Sequence, residues 1–239
     1  MLIDHIGAVV LEKGILLDID TQNDHSMDSV VLIDMLLRII GRVAFPIFCF
    51  LLIEGYIHTR SKLKYMLRLL IFGLVSEIPF DIATNNSLIY FEYQNVYFTL
   101  LLGIITLYLW DLIIKNPEED PMKCFKQAKA SKKFLAIITL IAMLAIAILA
   151  HTDYDATGVF LIFVLYFFRF KRAPKYIISI FTFILASILE IFAALSFIAF
   201  EKYNGKRGLN LKYVFYVFYP AHLLILVLIR YLVCGVGIN

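Results

Sequence analysis

A carboxylate beside a histidine, Asp4-His5, stands within a short apolar run, Met1-Leu-Ile-Asp4-His5-Ile-Gly7-Ala-Val-Val-Leu11. A carboxylate that holds a histidine's tautomer and raises its basicity prepares it for general-base work on an attacking hydroxyl or amine. Adjacent helix positions do not face each other, so the alternative partner for Asp4 is an arginine such as Arg42. Arg38 and Arg42 sit one turn apart and share a helix face. Glu54 and His58 repeat that spacing, and so do Glu77 and Asp81. Arg68 lies in an apolar stretch of its own, Glu190 interrupts another, and His222 follows Pro220. A charge at the centre of a lipid-embedded helix costs about 2.5–3.5 kcal/mol. Arg–Glu pairs that lock a bundle account for any one of these residues. The whole set, with its histidines, several arginines and the helix-breaking Pro46, Pro79 and Pro220, is better explained by a polar cavity inside the bundle. The tight turn Tyr203-Asn204-Gly205-Lys206-Arg207-Gly208 combines backbone donors with cations, which suits a phosphate or a carboxylate.

The elements that must carry these residues are hydrophobic segments. The 239 residues are 62% hydrophobic and only 17% charged, with a mean hydropathy of +0.85. Soluble domains run near 45–50% apolar and about 25% charged, so lipid is the solvent that accepts this surface. The clearest spans are Val30–Tyr56, Tyr65–Ala83, Val96–Ile114, Phe134–Ala150, Gly158–Phe170, Tyr176–Phe200 and Tyr213–Cys234. Tyr176–Phe200 is long enough to tilt or to break near Glu190. The first run is too short to span alone and is expected to be a truncated first helix whose start lies upstream, or else a half-helix. The predicted class is therefore an all-α, polytopic integral membrane bundle of about eight segments, forming one domain over residues 1–239.

Charge orients the bundle. Arg60, Lys62 and Lys64, then Lys115 to Lys133, then Arg169 to Lys175 make alternate connections basic, as cytoplasmic loops are. The connections between them are acidic or polar. Glu201–Lys212 breaks the pattern, holding Lys202, Lys206, Arg207 and Lys212 where an outer loop is expected. Either Tyr176–Phe200 is re-entrant or double, or those cations have a task. A net charge of +3 without basic blocks gives no nucleic-acid partner. Cys49, Cys124 and Cys234 have no ligand or pair spacing, so neither a zinc site nor a disulfide framework is expected.

Taken in order, several motifs resemble one family. They are Asp4-His5-Ile-Gly, Leu37-Arg-Ile-Ile-Gly41-Arg42-Val-Ala-Phe-Pro46-Ile-Phe48, Glu54-Gly-Tyr56-Ile-His58-Thr59, Ser76-Glu77-Ile-Pro79-Phe80-Asp81, Asp153-Tyr154, Tyr203 to Gly208, and Phe218-Tyr219-Pro220-Ala-His222. Together they resemble the TraX family, named for the conjugative pilin acetylase that acetylates the pilin N-terminus. That family looks related to the multipass membrane acyltransferases that modify cell-surface sugars. The resemblance implies acetyl transfer from acetyl-CoA to an amine or hydroxyl, in a multi-pass protein of the cytoplasmic membrane whose partners are the lipid bilayer, acetyl-CoA and an unknown acceptor. It implies His5 as base, oriented by Asp4, with Arg42 or Arg38 steadying the oxyanion or the CoA phosphates. His58, Arg60 and Arg68 would bind the cofactor. Glu54, Glu77, Asp81, Tyr203, Asn204, Lys206, Arg207 and His222 would line the rest of the cavity. A transporter or a non-catalytic membrane assembly factor is the competing class, since both use intramembrane charge and helix breaks.

Overall fold

The computed structural model describes residues 1–16, 25–114, 119–206 and 212–235. Among these the chain is helical throughout, with one isolated bridge between Gln94 and Thr152. The protein is an all-α helical membrane protein. Among the described residues, four helices are long and apolar enough to cross a membrane: Asp28–His58, Val96–Ile114, Ala130–Leu149 and Tyr216–Cys234. With no water in lipid to satisfy backbone groups, helices of this kind are the available solution.

The first helix begins as α1 (Leu2–His5) and continues as a π-helical stretch, Ile6–Ile15. Such wide turns are rare and cluster at functional sites. His5 sits at the junction between the two geometries. The next span comprises α2 (His25–Arg42) and α3 (Ala44–His58), interrupted at Val43. The interruption falls between Gly41 and Pro46, as the sequence suggests, because Pro46 has no N–H to give to Arg42. Helix α4 (Lys62–Asn85) starts at Ser61, whose hydroxyl accepts the Lys64 N–H, and ends at Asn86 in the left-handed region. Its last carbonyls would lack partners. Arg230, fully buried, supplies them, donating from Nη1 to the Ala83 carbonyl at 3.0 Å and from Nη2 to that of Ile82 at 3.1 Å.

Helices α5 (Val96–Ile114) and α8 (Asp155–Phe167) form the packed centre; α7 (Ala130–Leu149) lies against both from outside with most of its face exposed, and the short α6 (Pro121–Gln127) stands between α5 and α7. Asp120 caps α6 through bonds from the Met122 and Lys123 N–H groups, so part of the basic connection Lys115 to Lys133 is helix. Gly103 is where Ile162 of α8 meets the α5 backbone. Asp111 of α5 accepts the hydroxyls of Tyr56 and Tyr166, each at 2.6 Å, and ties three helices together.

The stretch read as a span over Tyr176–Phe200 does not cross. Helix α9 (Arg172–Ala186) stops at Ser187, whose backbone is extended. A 3₁₀ segment (Ile188–Leu195) and α10 (Ser196–Lys202) then return along it. Tyr176 donates to Glu201, Arg172 pairs with Glu201 at 3.1 Å, and the Tyr176 and Phe197 rings stack at 4.5 Å. The return explains the misplaced cations: Glu201 to Lys206 lie at the same end as Arg172, with the other basic loops. The extended backbone at the reversal is tolerated because Ser187 accepts the Leu189 N–H and the segment lines a cavity. Helix α11 (Lys212–Cys234) closes the bundle against α4 and the first helix.

Candidate functional site

A cavity of about 1360 Å³ lies between the first helix, α2–α3, α4, the reversal after α9, and α11. It runs from His58, Thr59 and Lys206 at the basic end to Tyr93, Asp153 and Thr157 at the other. Glycines set the approach of its walls. A side chain at Gly41 would overlap Asp4, and one at Gly7 would meet Asp34 Oδ1 at 2.6 Å. With only hydrogen at both positions, the first helix lies against α2 and brings Asp4 and His5 to the arginines.

The charges are largely neutralised in place. Arg38 Nη1 meets Asp4 Oδ1 at 2.8 Å and its Nε meets Glu12 Oε1 at 3.2 Å. Arg42 Nη1 meets Glu190 Oε1 at 3.0 Å. Pairing is what makes such charges tolerable in a low-dielectric interior. Asp4 therefore serves Arg38, neither Arg42 nor His5. Arg42 keeps its Nε–H without a partner, and so does Arg68, whose guanidinium lies 5.7 Å from the Tyr65 ring. Glu54 and His58 approach to 3.7 Å at the basic mouth, where the imidazole is largely exposed.

The group against His5 comes from the far end of the chain. His5 Nδ1 lies 2.6 Å from His222 Nε2, with the ring planes 12° apart. His222 Nδ1 lies 2.7 Å from the Phe218 carbonyl one turn earlier. Pro220 sits inside this helix and cannot donate to the Tyr216 carbonyl. The Tyr97 hydroxyl donates to that oxygen at 3.3 Å, which keeps α11 intact beside the site.

Nine of the sequence-predicted residues line this one cavity: Asp4, His5, Arg38, Arg42, Glu54, His58, Arg68, Tyr203 and Lys206. His222 stands behind His5 rather than on the wall. Arg60 lies in the turn before α4, off the cavity. Asn204 accepts the Lys206 N–H at 2.9 Å and shapes the turn without reaching the cavity. Arg207 lies outside the described residues. Glu77 and Asp81 do not line the cavity. Their shared face is turned to the α4–α5 loop, where Glu77 bonds Asn95 and Asp81 Oδ2 accepts the Tyr90 N–H at 2.8 Å.

A family profile described as TraX protein matches residues 1–230. The chain belongs to the TraX family. A relative from Dichelobacter nodosus, named "Probable fimbrial assembly protein FimC, serogroup H1", is 29% identical, the match covering 80% of this chain and 81% of the relative. No solved structure matches.

In this TraX-family chain several wall residues escaped the sequence reading of the site. Glu190, counted among the intramembrane charges but given no partner or role, holds Arg42. Tyr93 donates its hydroxyl to Asp153, and both line the cavity. Burial pushes the Asp153 carboxyl up to about 6, against the Tyr93 hydrogen bond and the two arginines, which favour its charged form. The signal for this pair was the clustering of Tyr90, Glu92 and Tyr93 in one short loop and of Asp153-Tyr154 in another. Tyr154 stacks flat on Phe45 at 3.5 Å, and Gly158 leaves room for both rings.

Proposed function

We propose that this protein is a membrane-bound acetyltransferase that moves an acetyl group from acetyl-CoA to an amine or hydroxyl, either a peptide or fimbrial-subunit N-terminus or a cell-surface glycan. The observation that carries the reading is one cavity that runs from the basic end, at His58 and Lys206, to Asp153 and Tyr93, with His5, Arg42 and Arg68 on its walls. The basic end would face the cytosol in the cytoplasmic membrane, where the acetyl-CoA pool lies. The residues fit such a donor: Arg42 and Arg68 line the cavity, each with an Nε–H that lacks a partner, and His58 and Lys206 stand at its basic mouth. A bound thioester supplies an electrophilic carbonyl and a sulfur leaving group. His5 takes the proton from the acceptor as the new bond to the acetyl carbon forms. The Arg42 guanidinium stabilises the charge that develops on the carbonyl oxygen. His5 then returns its proton to the departing sulfur, so that the products are the acetylated acceptor and the free thiol. Arg68, His58 and Lys206 hold the donor's phosphates.

The name of the Dichelobacter relative favours a second reading, a fimbrial assembly factor that uses the cavity only for packing. Purified protein in nanodiscs, incubated with labelled acetyl-CoA and membrane extract, separates the two. Label transfer or slow hydrolysis that depends on His5 supports the enzyme. Inert protein that binds a partner stably supports the assembly role.

A further inference from the structure

The two imidazoles form a chain whose direction is fixed at one end. The Phe218 carbonyl can only accept, so the His222 nitrogen 2.7 Å from it, Nδ1, carries a proton. In a neutral ring the other nitrogen, Nε2, then holds a lone pair. That Nε2 is 2.6 Å from His5 Nδ1, so the proton between the rings belongs to His5 Nδ1. One nitrogen of His5 remains, Nε2, and it carries a lone pair on the ring that lines the cavity. The opposite assignment needs a doubly protonated His222. That ring is 3% exposed and packed between Phe218 and Tyr219. None of the ion pairs among the described residues includes it, and an unpaired cation there would be costly.

We infer that His222 is the positioning residue of the site: anchored on the Phe218 carbonyl, it locks His5 in the Nδ1–H tautomer and leaves Nε2 as the only basic nitrogen facing the cavity. This is the orienting task the sequence assigns to Asp4, whose carboxylate is occupied by Arg38. The arrangement follows the logic of any base held by a third group, with a backbone carbonyl and a second imidazole in place of a carboxylate. Packing along α11 makes it possible. Pro220 leaves the Tyr216 carbonyl without its helical donor, Tyr97 supplies one, and Gly14 of the first helix packs against Arg230 and Cys234 further along.

The tautomer does not depend on the acetyltransferase reading; its catalytic consequence does. The full chain in nanodiscs, with ¹⁵N-labelled histidine and His5 assigned by difference from His5→Ala, is expected to show His5 Nδ1 protonated and Nε2 unprotonated. A protonated Nε2 in the native protein would overturn the inference whatever the activity of any variant. His222→Gln keeps an acceptor at the position of Nε2 and should keep this tautomer, whereas His222→Leu should release it. For acetyl transfer, His222→Leu should lower kcat by about a hundredfold or more with little change in KM for acetyl-CoA, and His222→Gln should recover most of the loss. The double variant His5→Ala/His222→Leu should be no slower than His5→Ala alone, because His222 acts through His5. Independent, multiplying losses would overturn the positioning role. The expected tautomer in a protein that transfers no acetyl group would leave this inference standing and remove the enzyme reading.

Discussion

Replacing Gly41 by alanine tests the crossing on which the site depends. A Cβ built there stands 2.7 Å from Asp4 Oδ1 and 2.8 Å from Asp4 Cγ, and nearer still to Asp4 Cβ. The Cβ of Asp4 cannot swing aside, so the backbone of the first helix must move. Overpacking of this kind costs about 1–3 kcal/mol, which for a chain of this size corresponds to a fall in Tm of about 2–12 °C. The movement also strains the 2.8 Å Asp4–Arg38 pair and draws His5 from His222, whose 2.6 Å contact has no slack. Two other glycines calibrate the result. At Gly7 the nearest obstacles are Asp34 Oδ1 at 2.6 Å and Arg38 Cδ at 3.1 Å, the movable parts of flexible side chains, so Gly7→Ala should cost less. At Gly73, inside α4, the nearest atoms are 3.4–3.6 Å away, and alanine should be neutral or stabilising by about 0.5–1 kcal/mol. Thermal unfolding of the three variants in one detergent, followed by size-exclusion fluorescence, gives the ranking. If Gly41→Ala is as stable as the native protein, or Gly73→Ala is the worst of the three, the packing argument is wrong.

Arg230→Ala removes two charge-assisted hydrogen bonds from the end of α4. Stability should fall by about 3 kcal/mol or more, a Tm loss of about 6–12 °C in the same thermal assay. Asp153 has its carboxyl pushed up to about 6 by burial. Its protonated form is therefore the one the fold favours: the contribution is full below about 4 and is lost as pH rises through about 6. Asp153→Asn should remove that decline, so the gap in Tm between variant and native protein should open between pH 4 and pH 6. A constant gap across this range would contradict the assignment.

The membrane class was legible because a 62% hydrophobic composition admits no other solvent, and the segment centres followed from hydropathy. The reversal after α9 was harder. Tyr176–Phe200 is apolar from end to end, and hydropathy cannot distinguish a crossing from a hairpin that returns. Only the stray cations near Lys206 and the single Glu190 pointed to it. Spacing likewise gave faces without saying what they meet. Glu77 and Asp81 do share a face, but it meets the α4–α5 loop, whereas Arg38 and Arg42 share one that meets the cavity. Adjacency misled at Asp4, because neighbours on a helix point apart and the carboxylate found Arg38. The contact between His5 and His222 spans 217 residues. Nothing local announces it, and it follows only once the first helix is seen wedged between α2 and α11.

The central claim, that the cavity transfers acetyl groups by way of His5, is tested most directly by one experiment. Native protein and His5→Ala, matched for folding by thermal unfolding, are incubated in nanodiscs with labelled acetyl-CoA and membrane extract. Label should move to an acceptor, or to water more slowly, with the native protein, and at least about a hundredfold more slowly with the variant. Equal rates from the two folded proteins would contradict the account.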